Sequence, residues 1–166
     1  MSESAATSVP LARAESSWPN LLIQLGAALF IVALAGSAIV VPQLRLLHVF
    51  QALIYVAVVA LAPRKGAWAY GAGVAVGCVW NGLQLFVTHN AQGGLIALWS
   101  YLHTSHPRRI DTMMVSLGTL GHFLLIAGCL AAFLPGAGKA QWWRFIGGAV
   151  IGLAYFALIV ALLLPR

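Results

Sequence analysis

Six side chains of this 166-residue chain stand where polar chemistry is expensive: His48, Gln51, Asn81, Gln84, His89 and His122 all fall in or beside long apolar runs. A buried amide or imidazole without a partner costs several kcal/mol by rough transfer scales, so each of these groups needs something to bond. His48 and Gln51 are three residues apart and share a helical face, with Tyr55 one turn further on. Cys78, Asn81, Gln84 and Thr88 recur at three- and four-residue steps and so lie along one stripe. Groups of this kind can bond one another and glue helices together. They can equally hold a small polar or partly polar ligand in a membrane-embedded pocket.

Histidine adds a second chemistry. A b-type haem needs two histidines at matching depth on different helices, with a glycine to admit the porphyrin edge. His48 and His89 meet the depth requirement, with Gly82 two turns below His89, while His122 lies deeper. A third cluster, His103, His106 and Asp111, has the residue types of a metal site or of an enzyme acting on lipid or isoprenoid head groups. Pro107 separates the histidines from Asp111, however, and tetrahedral zinc wants at least three converging ligands. With Arg108 and Arg109 adjacent, the plainer reading is a headgroup-contacting end, suited to a lipid phosphate or an acidic partner.

Absences narrow the classes further. Asp111 is the only acidic residue beyond position 15, so no carboxylate lies inside an apolar run. That argues against a proton-coupled pump and excludes paired-carboxylate catalysis. No phosphate-cradling glycine loop lies outside the apolar runs, which excludes ATP hydrolysis by this chain. Cys78 and Cys129 both sit within apolar runs and read as small fillers rather than as a disulfide framework.

The elements that position these groups are membrane helices. The chain is 61% hydrophobic and 7% charged, with a mean hydropathy of +0.93, against about 25% charged residues in soluble domains. A span needs about 20 apolar residues. That length predicts an all-α bundle of six transmembrane helices over 20–41, 44–62, 67–89, 91–106, 112–134 and 142–164, the fourth one short. Residues 1–19 read as a disordered cytoplasmic tail, and 20–166 as a single transmembrane domain. The net charge of +6 is carried by Lys and Arg at the ends of apolar runs, which are topology and headgroup anchors rather than a nucleic-acid surface. With six spans the basic residues split six to three towards a cytoplasmic side that holds both termini. Without a crossing at 91–106 the split is five against four, so the charges favour six spans in a cytoplasmic (inner) membrane.

In that topology His48, Gln51, Asn81, Gln84 and His89 share the outer half of the bundle, with His122 near mid-depth and Gly118 making room beside it. The function this predicts is binding or uptake of a small solute or cofactor in a polar outer pocket. The alternative is a haem- or quinone-binding anchor of an electron-transfer complex, with His48 and His89 or His122 as ligands. An accessory subunit, or an enzyme using the His103 cluster, stands behind these. Gly26, Gly36 and Ser37, together with Gly148 and Gly152, give helices 1 and 6 small-residue faces for close contact within the chain or with a partner subunit. The outline is similar to that of substrate-binding subunits of uptake systems and of small haem- or quinone-carrying anchors.

Overall fold

The computed structural model describes residues 18–64, 66–104 and 110–163. Expectations for the tail up to residue 17, for Lys65, for His106 to Arg109 and for Pro165-Arg166 lie outside the described residues. The described residues form six α-helices and no strand: α1 (Trp18–Val40), α2 (Arg45–Leu61), α3 (Ala67–Gly82), α4 (Asn90–Thr104), α5 (Ile110–Phe133) and α6 (Lys139–Leu163). α1 begins two residues before the expected start, with Pro19 in its first turn, where a missing N–H is harmless.

Helix directions follow from which residues meet. Gly26 lies against Gly121 and Leu125, Gly36 against Met114, and Gly128 against Pro19 and Ile23, so α1 and α5 run antiparallel. Gly73 meets Cys129 and Gly77 meets Ile126, making α3 antiparallel to α5 as well. Gly148 meets Trp68 and Gly152 meets Ala72, so α6 runs parallel to α3. α1, α3 and α6 therefore rise from one end of the bundle, the Trp18 end. α2 and α5 descend from the other, the Arg45 end.

α4 does not fit the expected sixth crossing. Ser116 Oγ donates to the Ala91 carbonyl at 2.8 Å, and Gly94 lies against the Thr112 carbonyl. The start of α4 is thus level with the start of α5, and the two form a hairpin at the Arg45 end. A 15-residue helix is about 22 Å long, short of the roughly 30 Å hydrocarbon core. Among the described residues five helices are long and apolar enough to cross a bilayer, and α4 is not one of them. The expectation of six spans with both termini on one side is not confirmed: five helices have spanning length, and Trp18 and Leu163 stand at opposite ends of the bundle.

The molecule is a multi-pass membrane bundle whose outside is as apolar as its inside. Phe86 is 77% and Ile39 75% exposed, a surface suited to lipid rather than water. The interior is built on Ile23, Phe30, Tyr55, Val76, Leu125 and Phe133, drawn from four helices. Glycine lets the backbones close up. A Cβ on Gly26 would stand 2.5 Å from the Leu125 nitrogen and 2.6 Å from the Gly121 oxygen, an approach only glycine permits. The small-residue faces of helices 1 and 6, expected to serve close contact within the chain or with a partner subunit, meet α5 and α3 of this same chain.

Candidate ligand-binding cavity

The polar groups converge near the Arg45 end. A cavity of about 240 Å³ is lined there by His48 and Gln51 of α2, Gln84 of the α3 extension, Ser37 of α1 and Asn90 at the start of α4, over a floor that includes Phe30 and Trp80. Gln84 reaches it through a local irregularity. α3 continues from Gly82 into a π-helical turn, Leu83–Val87, in which the Thr88 N–H bonds the Leu83 carbonyl at 2.9 Å. Such turns insert a residue into the helical count and re-aim the side chains around them. The Thr88 hydroxyl then donates to Gln84 Oε1 at 3.0 Å and braces it. His89, with φ of 56°, ends the turn in the left-handed region, which is uncommon outside glycine, and α4 starts at the next residue.

Each expected site residue has a definite place. His48 and Gln51 are buried and face the cavity. Asn81, one turn below Gln84, is buried; its amide N–H₂ donates to the Thr119 carbonyl over a long 3.5 Å, and its Oδ1 has no partner. His89 is exposed on the α3–α4 turn and takes no part in the cavity. His122 is fully buried beneath the floor, with Nε2 2.6 Å from the Tyr55 hydroxyl. Its ring lies 4.0 Å from Phe30 and 4.8 Å from Trp80, centroid to centroid. The space expected beside Gly118 is filled by those same two rings, which would come within 3.1 and 3.2 Å of an added Cβ. Cys78 is exposed, off the inward stripe it was grouped with, and Cys129 is in the core.

This geometry does not fit axial haem ligation. His122 offers its Nε2 to Tyr55 and has Phe30 over its ring, so no iron can approach that nitrogen. His89 faces away from the bundle, which leaves His48 without a second histidine across a common space. Of the cluster His103, His106 and Asp111, only His103 and Asp111 are among the described residues. His103 Nδ1–H donates to the Trp99 carbonyl at 2.8 Å and its ring rests 4.1 Å from Trp99. Among the described residues no three His, Cys, Asp or Glu side chains could hold a metal ion together.

The arrangement suits recognition of a neutral molecule. Among the described residues no charged side chain lines the cavity, while imidazole, three amides and a hydroxyl supply both donors and acceptors at its rim. His48 Nδ1 is buried with no bonding partner, which is costly unless something else satisfies it. The volume exceeds the roughly 150 Å³ that admits benzene and falls short of the roughly 300 Å³ lower bound for drug-sized pockets. Sequence reasoning missed the floor: Phe30 sits in a uniformly apolar run and Trp80 beside Asn81 but off its stripe, where nothing separates a cavity-lining ring from a lipid-facing one. Comparison of the chain with protein-family models, curated proteins and solved structures found no match.

Proposed function

We propose that the protein is a membrane-embedded binding component for a small neutral solute or cofactor of about one ring, taken from the Arg45 side. The observation that carries this reading is the convergence of His48, Gln51 and Gln84, from two helices, on one cavity in an otherwise apolar bundle. In a five-span topology the basic residues of the full sequence split five against four. On that one-residue margin the positive-inside rule sets the Trp18 end in the cytoplasm and the cavity near the outer face. Binding at that depth suits uptake of the solute or its presentation to a partner.

A second reading is favoured by the floor. Phe30 and Trp80 offer ring faces, and His48 and Gln51 offer N–H groups at the edge, which together suit a quinone ring with carbonyl acceptors. One experiment addresses both. Protein purified gently from its own membranes is extracted, and the released small molecules are compared by mass and ultraviolet spectrum between wild type and a Gln51→Leu/Gln84→Leu variant. A molecule present with wild type and depleted several-fold in the variant supports the cavity, and its spectrum separates quinone from other solutes. Identical extracts from well-folded wild type and variant would end the binding reading.

A further inference from the structure

A second feature lies in the opposite half of the bundle. α3 and α6 meet backbone to backbone, with Gly71 against the Phe145 carbonyl and Gly148 against the Trp68 carbonyl. α2 touches α6 mainly where the Tyr155 hydroxyl donates to the Phe50 carbonyl at 2.8 Å. From that tie towards the Trp18 end the two helices part, leaving a lipid-facing slot of about 550 Å³. Its walls are Leu53, Ala57 and Leu61 on one side and Ile151 on the other, over a floor of Ala72 and Gly152. Among the described residues no ionisable group other than the Tyr155 phenol lines it.

The slot has the depth and the charge of one leaflet. Tyr155 closes it; its α6 wall begins at Gly148, and Arg144 lies one turn beyond that, on the same face of α6 three turns before Tyr155. Eleven residues at 1.5 Å each make about 16 Å, close to half of the roughly 30 Å hydrocarbon core. Across the mouth, Arg64 follows Leu61 on α2, and its Nη1 donates to the Ala60 carbonyl at 3.0 Å, which leaves its other N–H groups outward. Arg64 and Arg144 are both exposed, and no described carboxylate lies at that end, since Asp111 begins α5 at the other. Trp68 lines the slot, and Trp142 and Trp143 stand in the first turns of α6 at the same end of the bundle, where indoles mark a membrane interface.

We propose that this slot binds an anionic phospholipid of the leaflet at the Trp18 end, one acyl chain lying between α2 and α6 and the phosphate between Arg64 and Arg144. Cationic groups flanking an interhelical groove attract acidic head groups, and a straight apolar channel one leaflet deep takes an acyl chain without a bend. A partner helix would need a longer channel, because the Tyr155–Phe50 tie blocks the slot at mid-membrane.

The test uses the full chain in phosphatidylcholine nanodiscs carrying a trace of phosphatidylglycerol or phosphatidylcholine with a photoactivatable acyl chain. The phosphatidylglycerol probe is expected to label α2 and α6 peptides up to about thirty-fold more than the phosphatidylcholine probe, the scale of preference that two basic side chains provide. Arg64→Gln with Arg144→Gln should bring the two probes level, and Ala57→Trp, at a lipid-facing position, should suppress labelling by both. Equal labelling by the two probes in wild type would overturn the proposal, as would unchanged labelling in the arginine variant or a crosslink from the slot to a second polypeptide. Should Ala57→Trp fail to fold, the arginine pair, fully outside the packed interior, still decides.

Discussion

Tyr55 and His122 form the deepest polar contact among the described residues, a 2.6 Å hydrogen bond shut inside Phe30 and Trp80. Buried pairs of this kind are asymmetric in energy. Removing one partner leaves the other unsatisfied, at about 1–3 kcal/mol, whereas replacing both with apolar groups of similar size is close to neutral. Tyr55→Phe should therefore destabilise the protein by about that amount, and His122→Leu by at least as much. The double variant should cost clearly less than the sum of the two, a coupling that reversible unfolding in mixed micelles measures through a double-mutant cycle. Additive costs would mean that the hydrogen bond contributes nothing and that ring packing alone holds this level. From sequence, Tyr55 was visible one turn beyond Gln51, and His122 was visible as a mid-depth imidazole. Their partnership was not, because spacing along one helix says nothing about which residue of another helix stands opposite.

At the scale of elements, the helices were legible because 20-residue apolar runs bounded by proline, glycine and arginine have few other solutions in a bilayer. Which faces turn inward was only half legible. Asn81 and Gln84 turn inward as their spacing suggests, but Cys78 does not, and the π-helical turn that seats Gln84 has no signature in LQLFV. The glycines divide in the same way. Gly26, Gly121 and Gly128 hold α1 against α5 at backbone contact, while nothing stands within 4 Å of a Cβ added to Gly82. Gly26→Ala should push α1 off α5 and cost roughly 1–3 kcal/mol, as overpacking does. Gly82→Ala, in regular helix, should be neutral or stabilising by about 0.5–1 kcal/mol. Thermal unfolding of the two variants beside wild type distinguishes them. A Gly26→Ala protein as stable as wild type would mean that the α1–α5 seam is looser than its 2.5 Å approach requires.

For the whole molecule, topology is where sequence and structure part. The apolar content of residues 91–106 resembles that of a short span, and the six-to-three charge split rewarded counting it as one. That split depends on Arg108 and Arg109 changing sides, so it presupposes the crossing it was used to support. The contacts of Ala91 and Gly94 with Thr112 and Ser116 remove the crossing, since α4 leaves and α5 returns at the same end. Two loops distinguish the alternatives. With six spans, Gln43 and Gly138 would lie on the same side of the membrane; in the five-span bundle the Pro42–Leu44 turn is at the Arg45 end, and Gly138, after the Leu134–Gly136 turn, is at the Trp18 end. In a background with Cys78→Ala and Cys129→Ala, single cysteines at Gln43, Ser100 and Gly138 should report this directly. A membrane-impermeant maleimide added to intact cells should label Gln43→Cys and Ser100→Cys but not Gly138→Cys, which should react only after permeabilisation. Labelling of Gln43→Cys and Gly138→Cys from one side would restore the sixth span. Labelling of Gly138→Cys alone from outside would keep five spans, invert the bundle and turn the His48 cavity towards the cytoplasm.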